Sequence, residues 1–294
     1  MYLDVDYKDN KVMIKDIKNF EPQHIFECGQ CFRWDKEEDG SFTGIAYNKV
    51  VNVKKIGADV VFRNTAKEDF INIWTKYFDL GTDYSHIKDR ISQNDKVMQQ
   101  AVAFGRGIRI LKQEPWETLI SFIISSNNNI PRIKRSIELL AEGYGEYLGE
   151  FYGKKRYGFP SAEILSNLSI EELKACNTGY RASYIKNTAS MVVEAPTALE
   201  ELKGLEIEAC QQKLLGYQGV GPKVAHCILF FCMEKMEAFP VDIWVKRVME
   251  HLYFHKEIPP KVIQQFASEK FGEYAGFAQQ YLFYYARESA IGKK

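Results

Sequence analysis

The sequence predicts an α+β fold, in which an amino-terminal antiparallel, twisted β-sheet domain with covering helices precedes a domain made of helices alone. Apolar residues alternate with a period of two over 3–7 and again over 12–17, and short β-branched runs between turn signals continue to Phe62, the pattern of strands. From Lys96 onward the apolar spacing becomes helical, punctuated by Pro and Gly where helices start and stop. With 17 Tyr and 19 Phe, the core is expected to be rich in aromatic rings.

Taken in order, Leu3, Val5 and Tyr7 alternate with polar residues, Asp9-Asn10 turns the chain, and Val12, Ile14 and Ile17 alternate again. Turn signals at Asp39-Gly40, Tyr47-Asn48 and Gly57 separate the runs 42–45, 50–53 and 60–62, which together read as an antiparallel meander. Thr65, with Glu68 three residues later, has the signature of a capping box opening a helix. Phe70, Ile73, Trp74, Tyr77 and Phe78 give that helix an apolar stripe to lay on the sheet. Helix 96–104 ends at Gly105, an extended piece covers 108–111, and Pro115 opens a helix to 126. Pro131 opens another that ends at Gly143, and the Gly- and Tyr-rich stretch 143–160 reads as an irregular surface loop. Ser169 and Glu172 mark a second capping box, and helices fit 181–194, 206–214, 222–235, 242–251 and 260 to near the end. The change of period places a domain boundary near residue 105, giving a sheet domain over 1–105 and a helical domain over 106–294.

Lys plus Arg and Asp plus Glu both number 39, so the formal net charge is zero. That excludes a protein that holds nucleic acid or membrane by bulk charge, and any anionic partner must be gripped by a local cluster. No apolar run approaches the roughly 18 residues of a membrane span. The opening MYLDVDYKDNK is not a signal peptide, so no membrane contact and an intracellular place are expected. The six cysteines, at 28, 31, 176, 210, 227 and 232, show no paired framework and read as free thiols in a reducing compartment. Cys28 and Cys31 form a CxxC, but no second CxxC or nearby His completes a zinc site, and no metal is expected there.

The strongest local signal is Lys213-Leu-Leu-Gly-Tyr-Gln-Gly-Val-Gly-Pro-Lys-Val-Ala225. A helix ends, glycines 216, 219 and 221 follow, and Pro222 takes the first position of the next helix, the whole unit covering about 206–235. Glycines there let the backbone take positive φ and approach a ligand closely. The free amides of the second helix, at its positive dipole end, make a seat for phosphate. A plain tight turn would use the same residues. Lys223 stands against the dipole at a cost of roughly 0.3–1 kcal/mol, in a field that favours the neutral amine a nucleophilic lysine needs. The plainer reading is an exposed surface lysine. In Ala238-Phe-Pro-Val-Asp-Ile-Trp244, Pro240 and Val241 hold an extended lead-in, so that Asp242 can cap the helix carrying Val245, Val248 and Leu252. As an ordinary N-cap Asp242 would contribute about 1 kcal/mol; the sharper reading is a carboxylate held at a cleft opposite the lysine.

Together the hairpin, Lys223 and Pro240-Val241-Asp242 resemble the helix-hairpin-helix base-excision glycosylases, and the lysine resembles the glycosylase/lyase branch of that family. No cysteine follows 232, which sets the chain apart from endonuclease III-like members with their clustered carboxy-terminal cysteines. Three further segments are similar to the 8-oxoguanine DNA glycosylases with an amino-terminal sheet domain: Cys28-Gly-Gln-Cys-Phe-Arg-Trp34, Ser125-Ser-Asn-Asn-Asn-Ile-Pro-Arg132 and Gly276-Phe-Ala-Gln-Gln-Tyr-Leu-Phe283. With Thr178-Gly-Tyr-Arg181 the matches run from residue 28 to residue 283.

The resemblance implies roles for particular residues. Oxidised guanine carries a donor at N7 where guanine carries a lone pair, so one backbone acceptor separates them at roughly 1–3 kcal/mol. The resemblance assigns that acceptor to the carbonyl of Gly29, Cys227 to one face of the extruded base, Phe283 to stacking on it and Gln279 to its pairing edge. Gln279 and Phe283 are four residues apart and share a helix face, as do Lys223 and Cys227. Asn127 would fill the vacated space in the duplex, Arg132 and Arg181 would read the orphaned cytosine, and Tyr180 would wedge the helix. Gly219, Gly221 and Trp244 would contact the DNA backbone. Trp244 departs from the family, which usually has His two residues after the aspartate. Arg132, Lys134, Arg135, Lys154, Lys155, Arg156, Lys246 and Arg247 gather positive charge for phosphate contacts.

The expected function is a bifunctional glycosylase/lyase acting as a monomer on double-stranded DNA containing 8-oxoguanine. Lys223 would be the nucleophile, Asp242 would stabilise the cationic sugar, and the chemistry calls for no redox or metal cofactor. The alternatives are a glycosylase for a different damaged base and a non-enzymatic hairpin module that binds DNA.

Overall fold

The computed structural model describes residues 3–291; Met1 and Tyr2 of the opening segment lie outside them. The sheet has strands β1 (Val5–Lys8), β2 (Lys11–Ile14), β3 (Trp34–Lys36), β4 (Phe42–Ala46), β5 (Lys49–Ile56) and β6 (Asp59–Arg63). Its turns fall where expected, with Asp9-Asn10 at φ 47° and 56° and Tyr47-Asn48 at φ 52° and 54°. All pairs are antiparallel, but the spatial order β1-β2-β6-β5-β4-β3 is not a simple meander. After β2 the chain crosses to the far edge through the helix Pro22–Phe26, and β6 closes on β2 with Val12 opposite Phe62. Both residues are fully buried, so the crossing places two apolar strands side by side in the middle of the sheet.

Phe70, Trp74, Tyr77 and Phe78 cover the sheet as expected, packed with Phe20 and Phe62. The capping box at Thr65 does not form. Ala66 is the N-cap of Lys67–Asp69, and the Thr65 hydroxyl instead accepts a hydrogen bond from Trp74 Nε1 at 2.9 Å. Burying the indole left its N–H in need of a partner, and Thr65 is that partner. The box at Ser169 and Glu172 is present in both directions.

The stretch 143–160 is not an irregular loop. The preceding helix, Ile130–Tyr144, runs past Gly143, and strands β7 (Tyr147–Phe151) and β8 (Lys154–Tyr157) form a hairpin. Its inward-facing anchor is Arg156, 2% exposed, which bonds Asp35 at 2.8 Å and Glu37 at 3.2 Å. An arginine at the buried position hid the alternation from a reading based on apolar residues. The last helix is likewise two, Pro260–Phe271 and Ala275–Glu288, separated at Gly272 with φ 54°. Helices Pro22–Phe26, Tyr84–Ser92 and Ala162–Asn167 were not anticipated.

A second core lies among the helices, where Leu119, Ile123, Ile137, Ala225, Ile228 and Leu282 meet Tyr84, Ile87, Met98 and Ala101. The segment 28–34 is sewn between the two cores, with Cys28 and Phe32 packed into the helical one and Cys31 and Trp34 into the sheet. Gln30, fully buried between them, donates to the carbonyls of Ile25 and Arg109 and accepts from Leu111 N. Cys28 and Phe32 on one side, Cys31 and Trp34 on the other and the bonded Gln30 thus hold the chain around Gly29. All six cysteines are unpaired and buried.

Candidate active site

The hairpin is built from helices Ile207–Leu215 and Pro222–Phe231. Of its three glycines only Gly219 has positive φ, at 82°, and a Cβ there would lie 2.7 Å from Tyr184 Cδ2. Gly216 is helical at φ −71°, and Gly221 is the N-cap of the second helix at φ −92°. Thus the expectation of left-handed backbone holds at one position. At Gly221 there is open space beside the backbone, which suits the approach of a ligand to the helix amides.

Beneath the hairpin lies a cavity of about 360 Å³. Lys223, Asp242, Gly29, Cys227, Gln279, Phe283 and Trp244 all line it. Lys223 enters from the first turn of its helix, with Nζ 5.5 Å from the centre of the Phe122 ring. Phe122 stacks on Phe231 at 5.5 Å, so the amine stands on an apolar floor. Asp242 caps the helix Ile243–Met249, its Oδ1 accepting from Val245 N at 2.8 Å and Trp244 N at 3.0 Å. Cap and cleft carboxylate are therefore the same group. Burial pushes its pKa above the ordinary carboxylate value, against the pull of those amides and of Lys223. The Cys227 thiol, four residues after Lys223, is also pushed up by burial, with the nearby lysine acting in the opposite direction.

The opposite wall is the helix Ala275–Glu288. Gln279 is 4% exposed, and its Oε1 is buried without a hydrogen-bond partner. A buried amide left in that state costs roughly 1–3 kcal/mol, which a ligand donor in the cavity would recover. Gly29 faces it with φ 83°. Trp244 is half-buried, with the Arg247 guanidinium 5.3 Å from its ring.

Asn127, Arg132, Tyr180 and Arg181 do not line the cavity; Tyr180 and Arg181 meet the Ser126–Asn127 backbone beside it. Asn127 is exposed, in left-handed backbone at φ 49°. Tyr180, 54% exposed, and Arg181 both donate to the carbonyl of Ser126. Arg181 is 7% exposed and also reaches the Asn127 carbonyl at 3.1 Å, so its donors brace the asparagine loop in this structure. Arg132 is exposed on the first turn of Ile130–Tyr144. Ser125, Asn128 and Asn129 of the same loop reach the cavity.

Much of the positive charge read as free for phosphates is committed internally. Lys134, Lys154 and Arg156 converge on Asp35, Arg135 pairs with Glu142, and Lys246 with Glu250. Among the described residues, Arg132, Lys155 and Arg247 of that group keep no carboxylate within 4.0 Å. Among the cavity residues that went unread in the sequence, beside Phe122 and Phe231, is Arg287. It follows Phe283 by four and Gln279 by eight, so the helix period alone could have found it.

Residues 12–119 match the model of the family described as 8-oxoguanine DNA glycosylase, N-terminal domain, and residues 120–273 that of the HhH-GPD superfamily base excision DNA repair protein. The chain is similar to a probable N-glycosylase/DNA lyase of Methanothermobacter thermautotrophicus, 32% identical over 78% of this chain and 77% of that protein. It is also similar to the N-glycosylase/DNA lyase of Saccharomyces cerevisiae, 31% identical over 88% and 81%. The fold superposes on the crystal structure of the Clostridium acetobutylicum 8-oxoguanine glycosylase/lyase in complex with double-stranded DNA containing cytosine opposite 8-oxoguanine. The TM-score is 0.95, with 46% identity over 99% of this chain and 100% of that one.

Proposed function

The chain belongs to the HhH-GPD superfamily of base excision DNA repair proteins, and from that premise we infer that it is a DNA glycosylase with lyase activity, removing 8-oxoguanine from duplex DNA. One observation carries the reading of its residues: a single cavity of about 360 Å³ holds a lysine, a half-buried carboxylate, an unpartnered amide and an aromatic ring. That is the set needed to hold one extruded base and to break its bond to the sugar.

In this reading the base stacks on Phe283 and meets Cys227 on its other face. Gln279 takes its pairing edge, and the Gly29 carbonyl accepts a hydrogen bond from the N7–H that only the oxidised base carries. The Lys223 nitrogen attacks C1′ through its lone pair as the C1′–N9 bond breaks; the bond pair leaves with the base, which takes up a proton to balance the one the nitrogen gives up. Asp242 stabilises the positive charge that develops on the sugar, as a fixed carboxylate in a site of restricted water. After the sugar opens, the lysine nitrogen and C1′ form an imine. Loss of a C2′ proton then expels the 3′ phosphate oxygen and nicks the strand, and water releases the lysine. Gly219, Gly221 and Trp244 would face the DNA backbone, while Asn127, Arg132, Tyr180 and Arg181 would face the emptied stack and the orphaned cytosine. No helix among the described residues is long and apolar enough to cross a membrane; a DNA substrate puts the proposed place of action at the chromosome.

The test is borohydride trapping on a duplex with one 8-oxoguanine opposite cytosine. A covalent protein–DNA band is expected, absent with Lys223→Gln and with undamaged duplex. Trapping that survives Lys223→Gln would remove the lysine from its role. Release of no base by the unmodified protein would remove the substrate.

A further inference from the structure

The helix Ala275–Glu288 does more than present Gln279 and Phe283 to the cavity. It also grips the strand of chain that delivers Gly29. Gln280 Nε2 donates to the carbonyl of Cys28 at 2.7 Å. Arg287 Nη2 donates to the carbonyl of Glu27. The carbonyls of the two residues preceding Gly29 are thus held by side chains seven apart, two turns along one face.

Arg287 is placed to connect this grip with the aromatic platform. Its Cζ lies 5.4 Å from the centre of the Phe283 ring. Its Nη1, buried and without a hydrogen-bond partner, stands 3.1 Å from where a Cβ on Gly29 would be. Nε is occupied by Glu288 Oε1 at 2.8 Å, and the side chain is only 17% exposed. A planar guanidinium fixed at several points cannot swing as a lysine would. An acceptor that separates two bases by facing a proton or a lone pair must itself be held to about 0.5 Å.

We propose that Arg287 is a specificity-positioning residue: by tying the Glu27 carbonyl to the Phe283 ring, it holds the Gly29 carbonyl in register with a base stacked on that ring. The inference rests on the reading above that Gly29 recognises the lesion. Arg287 also contributes positive field at Asp242, an effect its charge alone would supply. Fork and charge are separable by substitution.

The experiment compares two reactions of the full-length protein under single turnover: excision from an 8-oxoguanine:cytosine duplex, and nicking of a duplex with a preformed abasic site, where no base needs recognition. Arg287→Met keeps the aliphatic stem and removes the fork. Excision is expected to slow about tenfold, the scale of a small misplacement, while nicking slows far less. Arg287→Lys, which keeps the charge, is expected to be as slow in excision as the methionine variant. Equal slowing of both reactions would overturn the proposal, since the defect would then lie in the fold or at Lys223 and Asp242. Full recovery with Arg287→Lys would overturn it in favour of charge, and unchanged excision would overturn it outright. If the wild-type protein nicks abasic sites but releases no 8-oxoguanine, the substrate reading fails first and takes this proposal with it.

Discussion

The backbone of Gly29 rests against the ring of Phe283, so closely that a Cβ on the glycine would lie 2.8 Å from Cε1. The two residues come from opposite ends of the chain, and φ at Gly29 is 83°. Gly29→Ala therefore meets both a strained backbone and a clash. We expect a loss of about 1–3 kcal/mol of stability and slowed excision, read by thermal unfolding and single-turnover assay. Gly221→Ala has open space and negative φ, and its melting temperature should match the wild type. Equal melting temperatures for all three proteins would show that the Gly29 loop yields freely.

Gln279 sets stability against function. Its buried Oε1 has no partner, so Gln279→Leu removes an unsatisfied group from a well-packed helix. The variant should melt at the same temperature as the wild type or higher, because the unfolded chain no longer offers that amide a better environment. Excision of 8-oxoguanine should fall roughly 5- to 150-fold, the roughly 1–3 kcal/mol of a lost specific hydrogen bond. A less stable variant with normal excision would mean that the amide serves the core and not the base.

Asp242 makes a similar trade with a pH signature. Burial raises its pKa above the ordinary carboxylate value. The reactive form is the carboxylate, so the excision rate should fall on acidification with a midpoint above about 4, the unperturbed value. A raised folded pKa also means that the group's contribution to stability is full below the unfolded pKa and is lost as pH rises through the folded one. Asp242→Asn keeps the helix cap and should be more stable than the wild type at neutral pH, yet inactive. Rates from pH 4 to 8 and paired unfolding curves check both halves.

Glu114 offers a test remote from the chemistry. Half-buried beside Glu117 and Glu200, its pKa is pushed up to about 7, mainly by burial. The unfolded chain loses this proton near 4.3 and the folded chain near 7, so the folded state holds more protons between them and stability falls as pH rises. Glu114→Gln should match the wild type at pH 4, gain through this window and level off above it. The plateau should be about 2–3 kcal/mol after allowance for solvent screening. A pH-independent difference would show that Glu114 ionises normally in the fold.

Features that repeat along the chain were legible from neighbouring residues. Period-two alternation located strands β1 and β2, β-branched runs between turn signals located β5 and β6, and the Pro-Lys start placed the helix Pro222–Phe231 within a few residues. Spacing of four put Gln279 with Phe283, and Lys223 with Cys227, on shared helix faces. Asp242 read correctly as a cap because capping is a contact with its own next few amides. What stayed hidden depended on partners far away in the chain. The hairpin Tyr147–Tyr157 was illegible because its buried residue is Arg156, satisfied by Asp35 and Glu37 across about 120 residues. Thr65 was misread because Trp74, not its own helix, claims its hydroxyl. Lys134, Lys154 and Arg156 looked available to phosphates until tertiary contacts engaged them, and Arg181, read as facing the orphaned cytosine, braces the asparagine loop. Arg287 shares the helix face of Gln279 and Phe283, but its bond to Glu27 came only when folding carried that residue to it across 260 positions. Local hydrogen bonding and periodicity are written in neighbouring residues, whereas the neutralisation of a buried charge needs an opposite group that only the folded chain brings within reach.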